Sequence, residues 1–165
     1  MAENDVAEQQ DVADGTRTAV TASDGALRRR ATTGYRWLLL VFLVAGAVQI
    51  FLAGLGVFHL HDYGLEAAAG DSALAPHREL GFIMADIALL ILLLALIARP
   101  GARKVILAAV LVLLTAFGQP LLAGLGDDSA VYGGLHALDG LLIIGIAGYL
   151  YGSAFALRHG AGKRR

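Results

Sequence analysis

The chain has 165 residues and no cysteine. Disulfides, iron–sulfur clusters and thiolate zinc sites are therefore excluded, and thiol usage says nothing of the redox compartment. It also lacks a catalytic serine motif, a glycine-rich phosphate loop, a zinc motif and a nucleic-acid module. Nothing in it marks a soluble enzyme. Charge is scarce at 16% and nearly balanced at a net −1, but it is unevenly placed. Residues 1–34 contain no aromatic side chain, are polar and acidic, and close on Arg28, Arg29 and Arg30. By composition they read as a disordered tail. The run after Arg36 is too long for the core of a signal peptide and reads as a retained first helix.

What is present is apolar. Hydrophobic residues make up 57% of the chain and the mean hydropathy is +0.65. Both values belong to the membrane class. The apolar runs are 37–58, 80–98, 105–126 and 135–157. Each is long enough to cross a hydrocarbon core of roughly 30 Å at ~1.5 Å per residue. They do not alternate apolar and polar, as barrel strands do, so they read as helices. The spacing predicts an all-α fold, a four-helix antiparallel bundle with helices over 35–58, 76–98, 103–126 and 134–157. A long loop at 59–75, a tight turn at Arg99-Pro100-Gly101 and a short loop at 127–133 join them, and 158–165 form a basic tail.

Of the thirteen Lys and Arg residues, all but Arg78 fall on the N-terminal flank, the middle turn or the C-terminal tail. The other two connections carry Asp62, Glu66, Asp71, Asp127 and Asp128. This bias predicts a plasma-membrane protein with both termini in the cytoplasm. The arginine cluster reads first as a topology signal and second as a contact for anionic lipid or nucleic acid. The partners implied are membrane lipid and a redox partner or second copy of the chain, with no nucleic acid.

Two stretches repeat. Gln49-Ile50-Phe51-Leu52-Ala53-Gly54-Leu55-Gly56 is echoed by Gln119-Pro120-Leu121-Leu122-Ala123-Gly124-Leu125-Gly126. Each is followed by His-x-x-x-Gly, His77 to Gly81 and then His136 to Gly140. The chain reads as two tandem two-helix units related by a pseudo-two-fold axis along the membrane normal. Such an axis would face His77 and His136 across the bundle at the outer ends of the second and fourth helices. Two facing histidines are how a helical bundle holds b-type haem iron at both axial positions. Gly81 and Gly140, on the same helix faces as the histidines, would leave room for a flat macrocycle. Gln49 and Gln119 form a second matched pair. They serve either as interhelical hydrogen-bonding groups beside small residues or as polar contacts to a cofactor. The haem reading competes with a non-enzymatic scaffold or accessory subunit, in which the matched residues are inherited packing features.

Asp86 and Asp139 are carboxylates inside apolar runs, where ionisable groups carry functional weight. Asp86 is expected to face the bundle; Asp139 is expected to be solvated, amide-partnered or close to His136. His59 and His61 point nearly opposite ways on a helix and make a weak metal candidate. Pro120 is expected to kink the third helix.

The motifs Gln-x-x-Leu-Ala-Gly-Leu-Gly, His77-Arg78-Glu79-Leu80-Gly81 and Gly134-Leu135-His136-Ala137-Leu138-Asp139-Gly140 resemble the small integral-membrane proteins of domain-of-unknown-function family 6220. The likeness covers about residues 35–157. It implies the four-helix fold and, since that family has no assigned activity, nothing about chemistry. A more distant likeness is to haem A synthase. Each half of that family is a four-helix bundle with histidines at the outer ends of its second and fourth helices, which implies a haem cradle. The acidic residue before that family's His-Arg pair is missing here, where Leu74 to Pro76 stand instead. The resemblance therefore does not extend to haem A chemistry.

Overall fold

In the computed structural model the described backbone comprises residues 2–63, 67–126 and 128–161, with side chains described for 23–59, 72–126 and 128–154. Those residues are helical throughout apart from short turns. The helices are α1 (Ala2–Tyr63), α2 (Ala67–Ala98), α3 (Ala102–Leu113), α4 (Gln119–Gly126) and α5 (Ala130–Ala161). A π-helical segment, Leu114–Gly118, joins α3 to α4 into one continuous rod. Four stretches are long and apolar enough to cross a membrane: Ser23–His59, Ser72–Ala98, Ala102–Gly126 and Ala130–Ala154.

The helices begin earlier than the sequence predicts. α1 extends back to Ala2, through the segment whose composition reads as a tail. That stretch has no proline, and alanine, the best helix former, is its commonest residue. α2 starts at Ala67, so most of the expected loop 59–75 is helix and Pro76 lies inside it. Asp62, Glu66, Asp71, Asp127, His61 and the basic residues of the C-terminal tail lie outside the described side chains. The middle turn is as tight as expected. Arg99 leaves the helix at φ 52° and Gly101 takes φ 116°, a region that favours glycine. Gly101 then accepts from the amides of Lys104 and Val105 to start α3. Ser129 begins α5, its Oγ accepting from the Val131 amide, a first-turn cap.

The core follows heptad-like spacing. Tyr35, Leu39 and Phe42 on α1 meet Met84, Ala88, Ile91 and Ala95 on α2, Ala108 and Leu111 on α3, and Ile143, Ala147, Leu150 and Ala154 on α5. Steps of three and four residues keep one stripe inward, and alanines alternating with large residues let the helices approach. The one buried polar side chain among the described residues is Thr115, whose hydroxyl donates to the Leu111 carbonyl at 2.7 Å. Outside, the order is inverted relative to a water-soluble bundle: Trp37, Phe51, Phe58, Phe82, Phe117 and Leu121 are all more than 60% exposed. An apolar surface that continuous needs lipid or a partner against it.

The core is confined to one half. On α1 every buried hydrophobic precedes Gln49; on α3 all precede Gln119. On α2 they all follow Gly81, and on α5 they all follow Gly140. A layer of polar residues therefore separates a half that buries its large side chains from one that buries none of those described, where α4 buries no side chain and residues 130–135 are exposed at every position.

Candidate functional site: a histidine–glutamine layer

α1 packs on α2 and α5, and α3 packs on the same two helices. α2 and α5 are thus diagonal, with no backbone contact between them among the described residues. Their histidines nevertheless meet. The rings of His77 and His136 lie 6.1 Å apart, centroid to centroid, at an interplanar angle of 65°.

Each ring is held by a glutamine in the preceding rod, and the bonds run both ways. Gln49 Nε2 donates to the His77 carbonyl at 2.7 Å, and His77 Nδ1 lies 3.2 Å from the Gln49 carbonyl. Gln119 Nε2 donates to the His136 carbonyl at 3.0 Å, and His136 Nδ1 lies 3.1 Å from the Gln119 carbonyl. A carbonyl oxygen only accepts, so Nδ1 of each ring carries the hydrogen. The lone pair is then on Nε2 in both rings. This is the arrangement in which a second group fixes the tautomer and aims the ligating nitrogen.

A methyl group on Gly81 would stand 3.3 Å from Gln49 Nε2, so this glycine makes room for the amide. One on Gly140 would stand 3.8 Å from Gln119 Nε2, an ordinary contact. The histidines also sit deeper than expected. α2 begins at Ala67 and α5 at Ala130, so neither ring is in a first helical turn.

The two halves differ at their acids. Asp139 is half-buried, and its Oδ2 accepts the second hydrogen of Gln119 Nε2 at 2.9 Å. Gly118 makes the space, since a methyl there would lie 3.2 Å from that oxygen. Of the environments open to Asp139, the structure gives the amide-partnered one. The matching position in the first half is Leu80, and there the Gln49 Oε1 is buried with no donor among the described residues. Asp86 is a correction. It was expected to face the bundle, but it is exposed on the outer stripe of α2 beside Phe82, Ile83, Leu89 and Leu90. Its position, nine residues past His77, carries it round to the far side of the helix.

His59 is exposed near the C-terminal end of α1, ten residues past Gln49. Among the described residues no group of three or more His, Asp or Glu is gathered as a metal site. A pair of axial imidazoles needs only two ligands. The sequence signalled the matched positions; the reciprocal bonds required the structure. Neither a family model, nor a curated protein, nor a solved structure matches the chain.

Proposed function

We propose that this is an integral membrane protein built as an antiparallel bundle of two tandem two-helix units, and that its paired histidines bind b-type haem for one-electron transfer or for redox or haem sensing. The observation that carries the reading is the pair of imidazoles from diagonal helices, 6.1 Å apart, each with Nδ1 spent on a carbonyl. Two imidazoles are the ligand set with which a protein can hold haem iron. His77 and His136 would supply the axial nitrogens. Gln49 and Gln119 would hold the rings' orientation and tautomer, Gly81 would let the Gln49 amide approach, and Gly140 would leave room beside His136. The bound group would supply a one-electron couple; the chain supplies the fixed ligands and an apolar surround, the two features that set such a couple. The half beyond the layer, which buries none of its described hydrophobic side chains, would give access from one face. The resemblance to family 6220 bears on the four-helix fold alone, and the more distant one to the halves of haem A synthase is what suggests a haem cradle.

The same bonds favour a second reading. Each Gln–His pair joins one rod to the next by two hydrogen bonds, which is sufficient reason for both residues in a cofactor-free scaffold or accessory subunit. An absorption spectrum separates the two. Protein purified in detergent from haem-replete cells, or loaded with haemin, should show a Soret band and narrow reduced α and β bands. His77→Ala and His136→Ala should each abolish them; His59→Ala and His61→Ala should not. A colourless wild-type protein that also fails to take up haemin refutes haem binding and leaves the scaffold.

A further inference from the structure

At the opposite end of the bundle from the histidines, the helices leave a cleft of about 870 Å³. Its floor and one wall are apolar: Trp37 and Leu40 of α1, Ala98 at the end of α2, and Tyr151 of α5. Its rim is basic. Arg28, Thr32 and Arg36 succeed one another at four-residue steps on one face of α1, with Arg29 and Thr33 beside them. No aspartate or glutamate lines it.

The polar groups divide by what they already do. Thr32 and Thr33 hydroxyls donate to the carbonyls of Arg28 and Arg29, at 2.8 and 3.2 Å, so their hydrogens are taken. Arg36 reaches across to the Ala154 carbonyl and ties α1 to α5. Arg28 and Arg29 are exposed and make no ion pair or side-chain hydrogen bond among the described residues. Two guanidiniums without an acid thus stand over a cleft whose lower wall is indole and hydrocarbon. From Arg28 to Trp37 is nine residues, a rise of ~13 Å, comparable with the headgroup zone and its boundary.

We propose that this cleft is a binding site for an anionic phospholipid. The phosphate is held by Arg28 and Arg29, with Arg36 adding charge from within, and the glycerol and first acyl carbons lie against Trp37, Leu40 and Tyr151. Arginine forks match phosphate oxygens in pairs, which lysine ammonium groups do not. Basic pockets between membrane helices take anionic headgroups by this combination of charge and apolar wall. A free phosphate ion would use the rim and leave the indole and leucine wall unused, so the lipid is the ligand that accounts for both. The inference rests on the membrane reading and is independent of haem.

The test titrates the detergent-purified full chain with dioleoyl-phosphatidylglycerol and counts adducts by native mass spectrometry. One saturable adduct is expected, with no equivalent from dioleoyl-phosphatidylcholine. Arg28→Gln with Arg29→Gln should weaken it by about fivefold per arginine, ~30-fold for the pair. Arg30→Gln with Arg99→Gln removes the same charge from this end of the bundle but outside the cleft, and should leave the adduct unchanged. Equal weakening by both pairs would mean diffuse surface charge and would overturn the site. Equal binding of phosphatidylcholine would overturn the role of the arginines. Displacement by inorganic phosphate at concentrations matching the lipid would assign the rim to a free anion and overturn the lipid.

Discussion

Gly54 and Gly56 stand two residues apart on α1 and meet opposite surroundings. A methyl group on Gly54 would touch nothing within 4 Å, whereas one on Gly56 would lie 2.5 Å from Leu74 Cδ2 and 2.9 Å from the Ala73 carbonyl oxygen. Leucine can rotate away, but a helix carbonyl cannot, so α1 and α2 would have to separate. Gly56→Ala should destabilise by ~1–3 kcal/mol, the usual cost of overpacking. That outweighs the ~1 kcal/mol that alanine gains over glycine in a helix. Gly54→Ala should be neutral or slightly stabilising for the same propensity reason. Thermal unfolding in detergent measures both; equal effects would show that the close approach at Gly56 does not limit packing. The repeated motif contains both glycines and gives no means of ranking them, because rank depends on what the neighbouring helix presents. The histidine–glutamine layer was legible in the same partial way. Matching positions in the two halves singled out all four residues, but the two-way bonding of each pair depends on helix rotation, which periodicity leaves open. Asp86 shows the cost of that: its run is apolar on every side, so no polar stripe marked which face would be buried.

At the scale of elements, punctuation was legible where the chain must break and illegible where it need not. Pro100 and Gly101 stop α2 and start α3 because one lacks an amide hydrogen and the other holds φ 116°. The expected loop 59–75 carries no such obligation. It contains no proline, and Pro76, just past it, lies inside α2, where a single proline forfeits one bond. The third rod shows how a long apolar helix absorbs a proline. The Gln119 amide bonds to the Leu114 carbonyl, a π step, immediately before Pro120. The first half has Ile50 at the matching position and runs as unbroken α-helix. Pro120→Ile should therefore restore an α-helical ladder through 114–120. Hydrogen exchange at these amides should slow, and the Gln119 contacts to His136 and Asp139 should weaken as the side chain is rotated off its present direction. Unchanged exchange would mean that the Gly118–Asp139 packing, and not the proline, sustains the π turn.

Over the whole molecule, two gradients run along the same axis. Buried hydrophobic side chains gather toward the end that carries Arg36, Ala98 and Ala154, and none of those described lies beyond the histidine–glutamine layer. Basic residues share that end: Arg36 bonds the Ala154 carbonyl, Lys104 reaches the Ser153 carbonyl at 3.5 Å, and Arg103 lies 5.4 Å over the Tyr149 ring. The cations are thus both a topology signal and part of the fastening of α1, α3 and α5. If orientation follows lysine and arginine, that end faces the cytoplasm and the half beyond the layer faces outward. A reporter fused after Arg165 should then be cytoplasmic, and one inserted near Gly70 should be external. The prediction is sharp because the outer connections offer only Arg78 in competition, and acidic residues contribute little to orientation. A cytoplasmic signal from the Gly70 insertion would invert the molecule. His77 and His136 would then open to the cytoplasm, any electron donor or haem source would have to approach from there, and the arginine cleft would take its lipid from the outer leaflet.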